Sequence, residues 1–294
     1  LRAGIIALSK TNIKIPTKIT PALVKEVRIV PGTDCYIIEV IYEKINNLSA
    51  KNNEAIASID LGLNNLIALT SNQVGFQPIL VNGRPLKSIN QFYNKKKASL
   101  QEKLPRGIRA SKRILRITRC RNQKINNYLH HTSHFIVNTL VKNSIKMLVI
   151  GKNSGQKQEI NIGKANNQNF VNIPHSKLIE QLAYKCELVG IKVIESEESY
   201  TSVSSFLDSD PIPVYGDDNA KLVKFSGKRI KRGLYRSNTG KLINSDVNGS
   251  YNILRKAFPN AFSNGIERCV VHPRLVTPTK EKRKGKAETP FMAA

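Results

Sequence analysis

The stretch Ala55-Ile56-Ala57-Ser58-Ile59-Asp60-Leu61-Gly62 reads as a buried strand that ends in a carboxylate and a glycine. An unpaired charge at the end of so apolar a run is costly. Asp60 therefore needs a partner, and a metal ion would serve; the plainer alternative is that Asp60-Leu61-Gly62 begins a turn. Leu66–Thr70 and Pro78–Gly83 supply two further short strands, in meander order. Ile145–Ile150, closed by Gly151, is a fourth strand. Pro174 opens a helix with Leu178, Ile179, Leu182 and Leu188 at its apolar positions and Gly190 at its end. Ile191–Glu195 is a fifth strand, and a last helix runs from about Asp246 to Ala257.

Between the third and fourth strands, from about Ser88 to Lys142, the pattern is helical and strongly basic. Residues 94–124 hold Lys95, Lys96, Lys97, Lys103, Arg106, Arg109, Lys112, Arg113, Arg116, Arg119, Arg121 and Lys124 against the single Glu102. Pro105 and Gly107 predict a break into a helical hairpin. A solvated helix face usually mixes signs, so a one-sign stretch of this length favours phosphate contact. The element order strand, strand, strand, helix, strand, helix, strand predicts an α/β domain of RNase H-like type. Ahead of it, Val24–Val30 and Cys35–Tyr42 read as a hairpin joined at Pro31-Gly32-Thr33-Asp34, and Asn46–Glu54 as a linker.

The 294 residues suggest about two domains, and a 40% apolar content is enough to bury a core. No apolar run reaches the roughly 18 residues of a spanning helix. The start, Leu1-Arg2-Ala3-Gly4, has neither an initiator Met nor a signal-peptide pattern and reads as a cut beginning. Cys35, Cys120, Cys186 and Cys269 lie far apart, as expected of reduced intracellular thiols. Lys and Arg number 47 against 21 Asp and Glu, a net charge of +26 that points to a polyanion, most simply nucleic acid. His130 and His134 have the i, i+4 spacing of some metal sites but no Glu between them, and His175 reads as a packing or phosphate-touching residue. Neither GxxxxGK[ST] nor GxGxxG occurs, so nucleotide hydrolysis has no support.

Two-ion hydrolysis of a phosphodiester needs carboxylates converging from separate elements. Candidates are Asp60, Asp246 and the run Glu195-Ser196-Glu197-Glu198 at the end of the fifth strand. Asp246 could equally be a helix N-cap, in competition with Asn244 and Ser245, and the glutamates a solvated strand end.

IDLGLNN (59–65), NGRPLKSINQFYNKKK (82–97), NIPHSKLIEQLAYKCELVGIKV (172–193), EESYTS (197–202) and INSDVNGSYNILRK (243–256) together resemble the TnpB, or OrfB, proteins of bacterial insertion sequences. The resemblance covers roughly residues 20–273. It implies a RuvC-like nuclease of RNase H type over 51–258, with the basic helical hairpin inserted at about 88–142. It also implies the closing part of a wedge β-barrel over 1–50, the first part of that barrel and a helical insert being absent. By its composition, basic with several prolines and few apolar residues from Pro273 on, 259–294 reads as a largely disordered tail.

The implied activity is RNA-guided cleavage of double-stranded DNA by a transposon-encoded, transposase-family endonuclease. Its guide comes from the transposon end, and it would reside in a prokaryotic cytoplasm near the nucleoid with no membrane association. Asp60 and Asp246 match the first and last catalytic aspartates and would bind Mg2+, with Mn2+ as a substitute, in a two-ion site. The middle glutamate is missing: Val149-Ile150-Gly151-Lys152-Asn153 places a glycine there. Glu197 or Glu198 could supply it from the neighbouring strand, a rearrangement similar to one in a subset of the family. Period-2 alternation lets only one of them point at the site, with Glu198 favoured.

The family's four-cysteine ribbon has Ser204, Leu207, Arg236 and Thr239 at its ligand positions, so no zinc is expected, and 203–242 would persist as a remnant lobe. Nucleic-acid contacts fall to Lys95, Lys96, Lys97, Arg109, Lys112, Arg113, Arg116, Arg119, Lys228, Arg229 and Arg232, with Lys224 and Lys231 beside the last three. The competing reading is a nuclease-inactive guided DNA-binding protein or a decayed remnant. A guide-independent, structure-selective resolvase suits the cationic stretch less well.

Overall fold

A computed structural model describes residues 4–20, 23–43, 55–152, 173–216, 222–263, 265–266 and 269–278. The chain divides into two compact units.

The first unit comprises residues 1–47, 96–122 and 280–294. Its described strands are β1 (Ile5–Ala7), β2 (Lys14–Pro16), β3 (Val24–Pro31) and β4 (Tyr36–Tyr42). β1 pairs with β2 and β3 with β4, both antiparallel, as two separate two-stranded sheets. The hairpin expected at 24–42 is present, β1 and β2 are additional, and the described residues form no closed barrel.

The second unit, 48–95 and 123–279, holds a six-stranded sheet. Its strands are β5 (Ile56–Leu61), β6 (Asn65–Ser71), β7 (Ile79–Asn82), β8 (Met147–Gly151), β9 (Lys192–Ser196) and, after three others, β13 (Arg274–Val276). The order is β13-β7-β6-β5-β8-β9. β5, β6 and β7 run antiparallel to their neighbours in the meander, whereas β8 lies parallel to β5 and β9 parallel to β8. β13 adds a parallel edge strand beside β7. The expectation of a largely disordered tail from 259 onward fails there and at the 3-10 turn Pro259–Phe262, and its remainder, 279–294, lies outside the described residues.

Four α-helices are described: α1 (Arg84–Gln101), α2 (Lys112–Lys142), α3 (His175–Glu187) and α4 (Ser245–Ala257). The break between α1 and α2 falls across Pro105 and Gly107, as expected. Strand alternation sorts side chains between two faces. Ala57, Ile59, Ile67, Leu69, Leu148 and Ile150 pack with Leu129 and Leu140 of α2 and Leu178 and Leu182 of α3. Ala68, Leu80 and Val149 face the other way, onto Val247, Tyr251, Ile253 and Leu254 of α4. No helix among the described residues is long and apolar enough to cross a membrane.

α4 is fastened to the sheet by buried hydroxyls. Ser58 Oγ donates to the Ser250 carbonyl at 2.6 Å and lies 2.9 Å from Thr70 Oγ1. Ser250 Oγ donates back to the Ser58 carbonyl at 3.0 Å. Three small polar residues thus satisfy one another where an apolar contact would hold the helix farther off.

β10 (Lys228–Lys231), β11 (Leu234–Arg236) and β12 (Leu242–Asn244) form a three-stranded antiparallel sheet leading into α4. The sheet overlaps the range 203–242 expected to form a separate lobe. Phe206 stacks on Tyr251 with ring centroids 4.4 Å apart, and Tyr235 Oη donates to the Val203 carbonyl. Its loops are tied by carboxylates: Asp210 accepts from the Ser205 and Ser226 amides, and Asp208 from Ser205 Oγ and the Asn238 amide. Among the four ribbon positions, Ser204 donates to the Tyr200 and Pro211 carbonyls, Leu207 packs against the Phe206 cluster, Arg236 is exposed and Thr239 lies 2.9 Å from Ser237.

Replacing Ser58 by Val removes the hydroxyl that donates to the Ser250 carbonyl and leaves Thr70 Oγ1 with only its 2.9 Å partner Ser250 Oγ, so urea denaturation should read a loss of about 1–3 kcal/mol.

Candidate active site

The parallel strands β5, β8 and β9 end at one edge of the sheet, where ligands of open α/β sheets bind. Asp60 stands at the end of β5. Alternation sets it, like Ser58 two residues earlier, on the face covered by α4. There the helix carries Gly249, and a Cβ built on that glycine would lie 2.7 Å from Asp60 Oδ2. No other residue type lets α4 pass so close to the aspartate.

Asp246 lies in the first turn of α4. Asn244 is the N-cap: its side chain accepts from the amides of Asp246 and Val247 at 2.9 and 3.2 Å. The capping alternative for Asp246 is thereby settled, and its carboxylate is left to other work. Asn65, at the start of β6, donates to Asp246 Oδ2 at 2.6 Å and orients it.

Gly151 ends β8 and pairs in register with Ser196 of β9. Glu198 follows two residues later. A Cβ on Gly151 would stand 2.6 Å from Glu198 Oε2 and 2.5 Å from Ile253 Cδ1. The Glu198 carboxylate therefore lies against the space that a side chain at 151 would take.

Glu197 points elsewhere. It forms an ion pair with Lys256 near the end of α4, and its other oxygen accepts from the Ser199 amide at 2.6 Å. Partial burial pushes its pKa upward, but the hydrogen bonds from Lys256 and Ser199 prevail and hold it below the usual carboxylate value. Glu195, the remaining member of the acidic run, pairs with Lys152 at 2.7 Å.

Burial, followed by the negative charges of Glu198 and Asp246, holds the Asp60 carboxyl well above the usual range, with Arg229 of β10 pulling the other way. The three carboxylates are thus electrostatic neighbours, reached from a strand end, a loop and a helix start. As hard oxygen donors they suit Mg2+ or Mn2+. They do not form a closed cage: among the described residues no three acidic, histidine or cysteine side chains stand close enough to grip one ion.

The remaining site residues divide by environment. Lys95, Lys96, Arg109, Lys112, Arg113, Arg116, Lys228, Arg229 and Arg232 are exposed, and Lys97 is half-buried. Arg119 is drawn into an ion pair with Asp34 at 3.3 Å. His175 is buried with a ring nitrogen 3.2 Å from the Gly62 carbonyl, so it steadies the turn after Asp60. His130 takes part in contacts with Lys185, and His134 lies 3.0 Å from Asn138. Asn65, Gly249 and Lys256 were not anticipated, although all three lie within the two motifs that carry the aspartates.

Two family descriptions match this chain. Residues 37–157 match the OrfB_IS605 family, described as "Probable transposase". Residues 175–253 match the Cas12f1-like TNB domain. The two matches follow one another along the chain and support a TnpB-like protein. No curated protein matches it significantly. Among solved structures it is similar to a CRISPR-Cas12f ternary complex, with a TM-score of 0.50 and 17% identity, covering 74% of this chain and 41% of that one. It is also similar to a Cas12f1–sgRNA–target DNA complex, with a TM-score of 0.49 and 14% identity, covering 77% and 55% respectively. The chain thus spans about half the length of those proteins, and the likeness is one of mixed α/β fold.

Folding raises the pKa of Asp60, so folding is favoured by its protonation. The resulting cost is absent below the unfolded value near 3.9 and grows as pH rises through the folded value. In EDTA, Asp60→Asn should therefore melt higher than the unmutated protein at pH 8, with the advantage shrinking toward pH 4 in a thermal scan.

Proposed function

We propose that this chain carries the nuclease domain of a metal-dependent, RNA-guided DNA endonuclease of RuvC type. The observation that carries this reading is the electrostatic proximity of Glu198, in the loop after β9, and Asp246, in the first turn of α4, to Asp60 at the end of β5, with glycines at 151 and 249 making room for the Glu198 and Asp60 carboxylates. The strand order β7-β6-β5-β8-β9, antiparallel for three strands and then parallel, supports an RNase H-like core. The domain assignment is 1–50 as part of a wedge module, 51–258 as the nuclease and 203–242 as its ribbon lobe.

Asp60, Glu198 and Asp246 would hold the ions, Mg2+ or Mn2+. Bound there, such ions activate water for attack and stabilise the leaving 3′ oxygen. The chain's own part is positional. Asn65 keeps Asp246 turned toward the cluster, Gly249 admits Asp60, and α4 with the Ser58 and Ser250 hydroxyls fixes the distance between them. The exposed cations of residues 95–116 and 228–232 suit phosphate backbones of a guide RNA and a DNA duplex. In such complexes base pairing reads sequence while the protein holds shape and charge.

The test is plasmid cleavage by the protein purified with its transposon-end RNA in Mg2+. Asp60→Ala, Glu198→Gln and Asp246→Ala should each abolish cutting, by on the order of 10³-fold or more for loss of one member of a unit that acts together. Glu197→Gln should cost less than about tenfold, the low end for an outer-shell residue. Gly249→Ala should also abolish cutting while the circular dichroism spectrum is kept, because its methyl displaces Asp60. Binding of target DNA without cleavage by the unmutated complex would instead establish a nuclease-inactive guided DNA-binding protein.

A further inference from the structure

Two adjacent glutamates sit beside an acidic cluster that has use for one. Left alone, the pair could exchange roles by a small rotation of the loop after β9. Alternation does not prevent this, because β9 ends at Ser196 and both residues lie beyond it.

The discrimination comes from α4. Lys256 is 11% exposed and its ammonium donates to three acceptors: Glu197 Oε2, the Ser199 carbonyl at 2.9 Å and the Pro213 carbonyl at 3.1 Å. An ammonium has three protons, so its capacity is filled. Two of the three acceptors flank Glu198 in sequence. The Glu198 carbonyl is held independently by the Thr201 hydroxyl and amide at 2.7 and 3.2 Å, and Asn252 of α4 donates to the Thr201 carbonyl. The segment 197–201 is therefore fixed on both sides, with the Glu198 side chain directed at Gly151.

We infer that Lys256 is the positioning residue that sorts the two glutamates, pulling Glu197 out of the carboxylate cluster so that Glu198 alone joins Asp60 and Asp246. This rests on the assignment of those three carboxylates under Proposed function. Lys256 acts by charge as well as by tethering. Without it, Glu197 adds a fourth negative side chain next to three, and its carboxylate competes with Glu198 for the same cations. A purely structural anchor would have no such competitor to suppress.

The difference is measurable by Mn2+ binding to the protein–RNA complex, followed by electron paramagnetic resonance, with cleavage as a second readout. Lys256→Met should weaken Mn2+ binding about tenfold or more, the usual effect of an outer-shell partner, and raise the Mg2+ needed for half-maximal cleavage. Adding Glu197→Gln to Lys256→Met should recover a substantial part of the loss, at least about threefold in affinity on the same scale. Unchanged binding in Lys256→Met, or a double variant no better than the single at equal melting temperature, overturns the inference.

If Lys256→Met does not fold, the charge-reversed pair Lys256→Glu with Glu197→Lys replaces it. That pair should bind Mn2+ better than Lys256→Glu alone, and failure to do so is equally contrary. An unmutated complex that binds Mn2+ but does not cut sinks only the nuclease reading. One that binds no Mn2+ sinks the sorting role with it.

Discussion

The approach of α4 to β5 governs everything else in the second unit. A helix carrying a side chain at position 249 could not lie where this one does, because the first atom of that side chain would fall on Asp60. Nor could it lie there over an apolar Ser58 or Ser250, since their hydroxyls and carbonyls satisfy each other across the gap. Glycine supplies room and the serines supply attraction. Between them they place Asp246, in the first turn of the same helix, near the half-buried aspartate on the strand. The stability this costs is concentrated at Asp60, whose carboxyl is held well above its usual pKa by burial and by its acidic neighbours. Such tension is characteristic of functional sites.

A second consequence runs along the other side of α4. Asn248, Asn252, Arg255 and Lys256 all bond to the segment 197–213 or to the loop that follows it: Asn248 to Phe206 and Ser204, Asn252 to Thr201 and Ser204, Arg255 to Asp210, and Lys256 to Glu197, Ser199 and Pro213. One helix thus presents an aspartate at its start, a glycine against the strand aspartate, and a polar face that holds the loop bearing Glu198.

Much of this was legible in the sequence because period-2 alternation and apolar runs are strong signals. The five strands from Ile56 to Ser196, the helix starting after Pro174 and the last helix stand close to their expected bounds. The placing of Asp60 at a strand end and Asp246 at a helix start was also readable, whereas strand alternation does not choose between the paired glutamates, because both lie beyond the end of β9. What decided between those two lies outside any local pattern, because Lys256 is about sixty residues from Glu197 and their contact exists only once α4 docks. β13 and the β1–β2 hairpin were missed for a related reason. Three-residue strands are defined by the edge they join rather than by their own periodicity. Around the sheet β10–β12, hydrogen bonds accepted by Asp208 and Asp210 tie the loops, and nothing in the spacing of those aspartates announced it.

Anomalous diffraction from crystals soaked in Mn2+ tests the central claim most directly. Such crystals should show anomalous peaks with oxygens of Asp60, Glu198 and Asp246 at about 2.0–2.6 Å, and with Glu197 still paired to Lys256. A peak coordinated by Glu197 in place of Glu198, or manganese bound elsewhere and absent from this strand end, would contradict it.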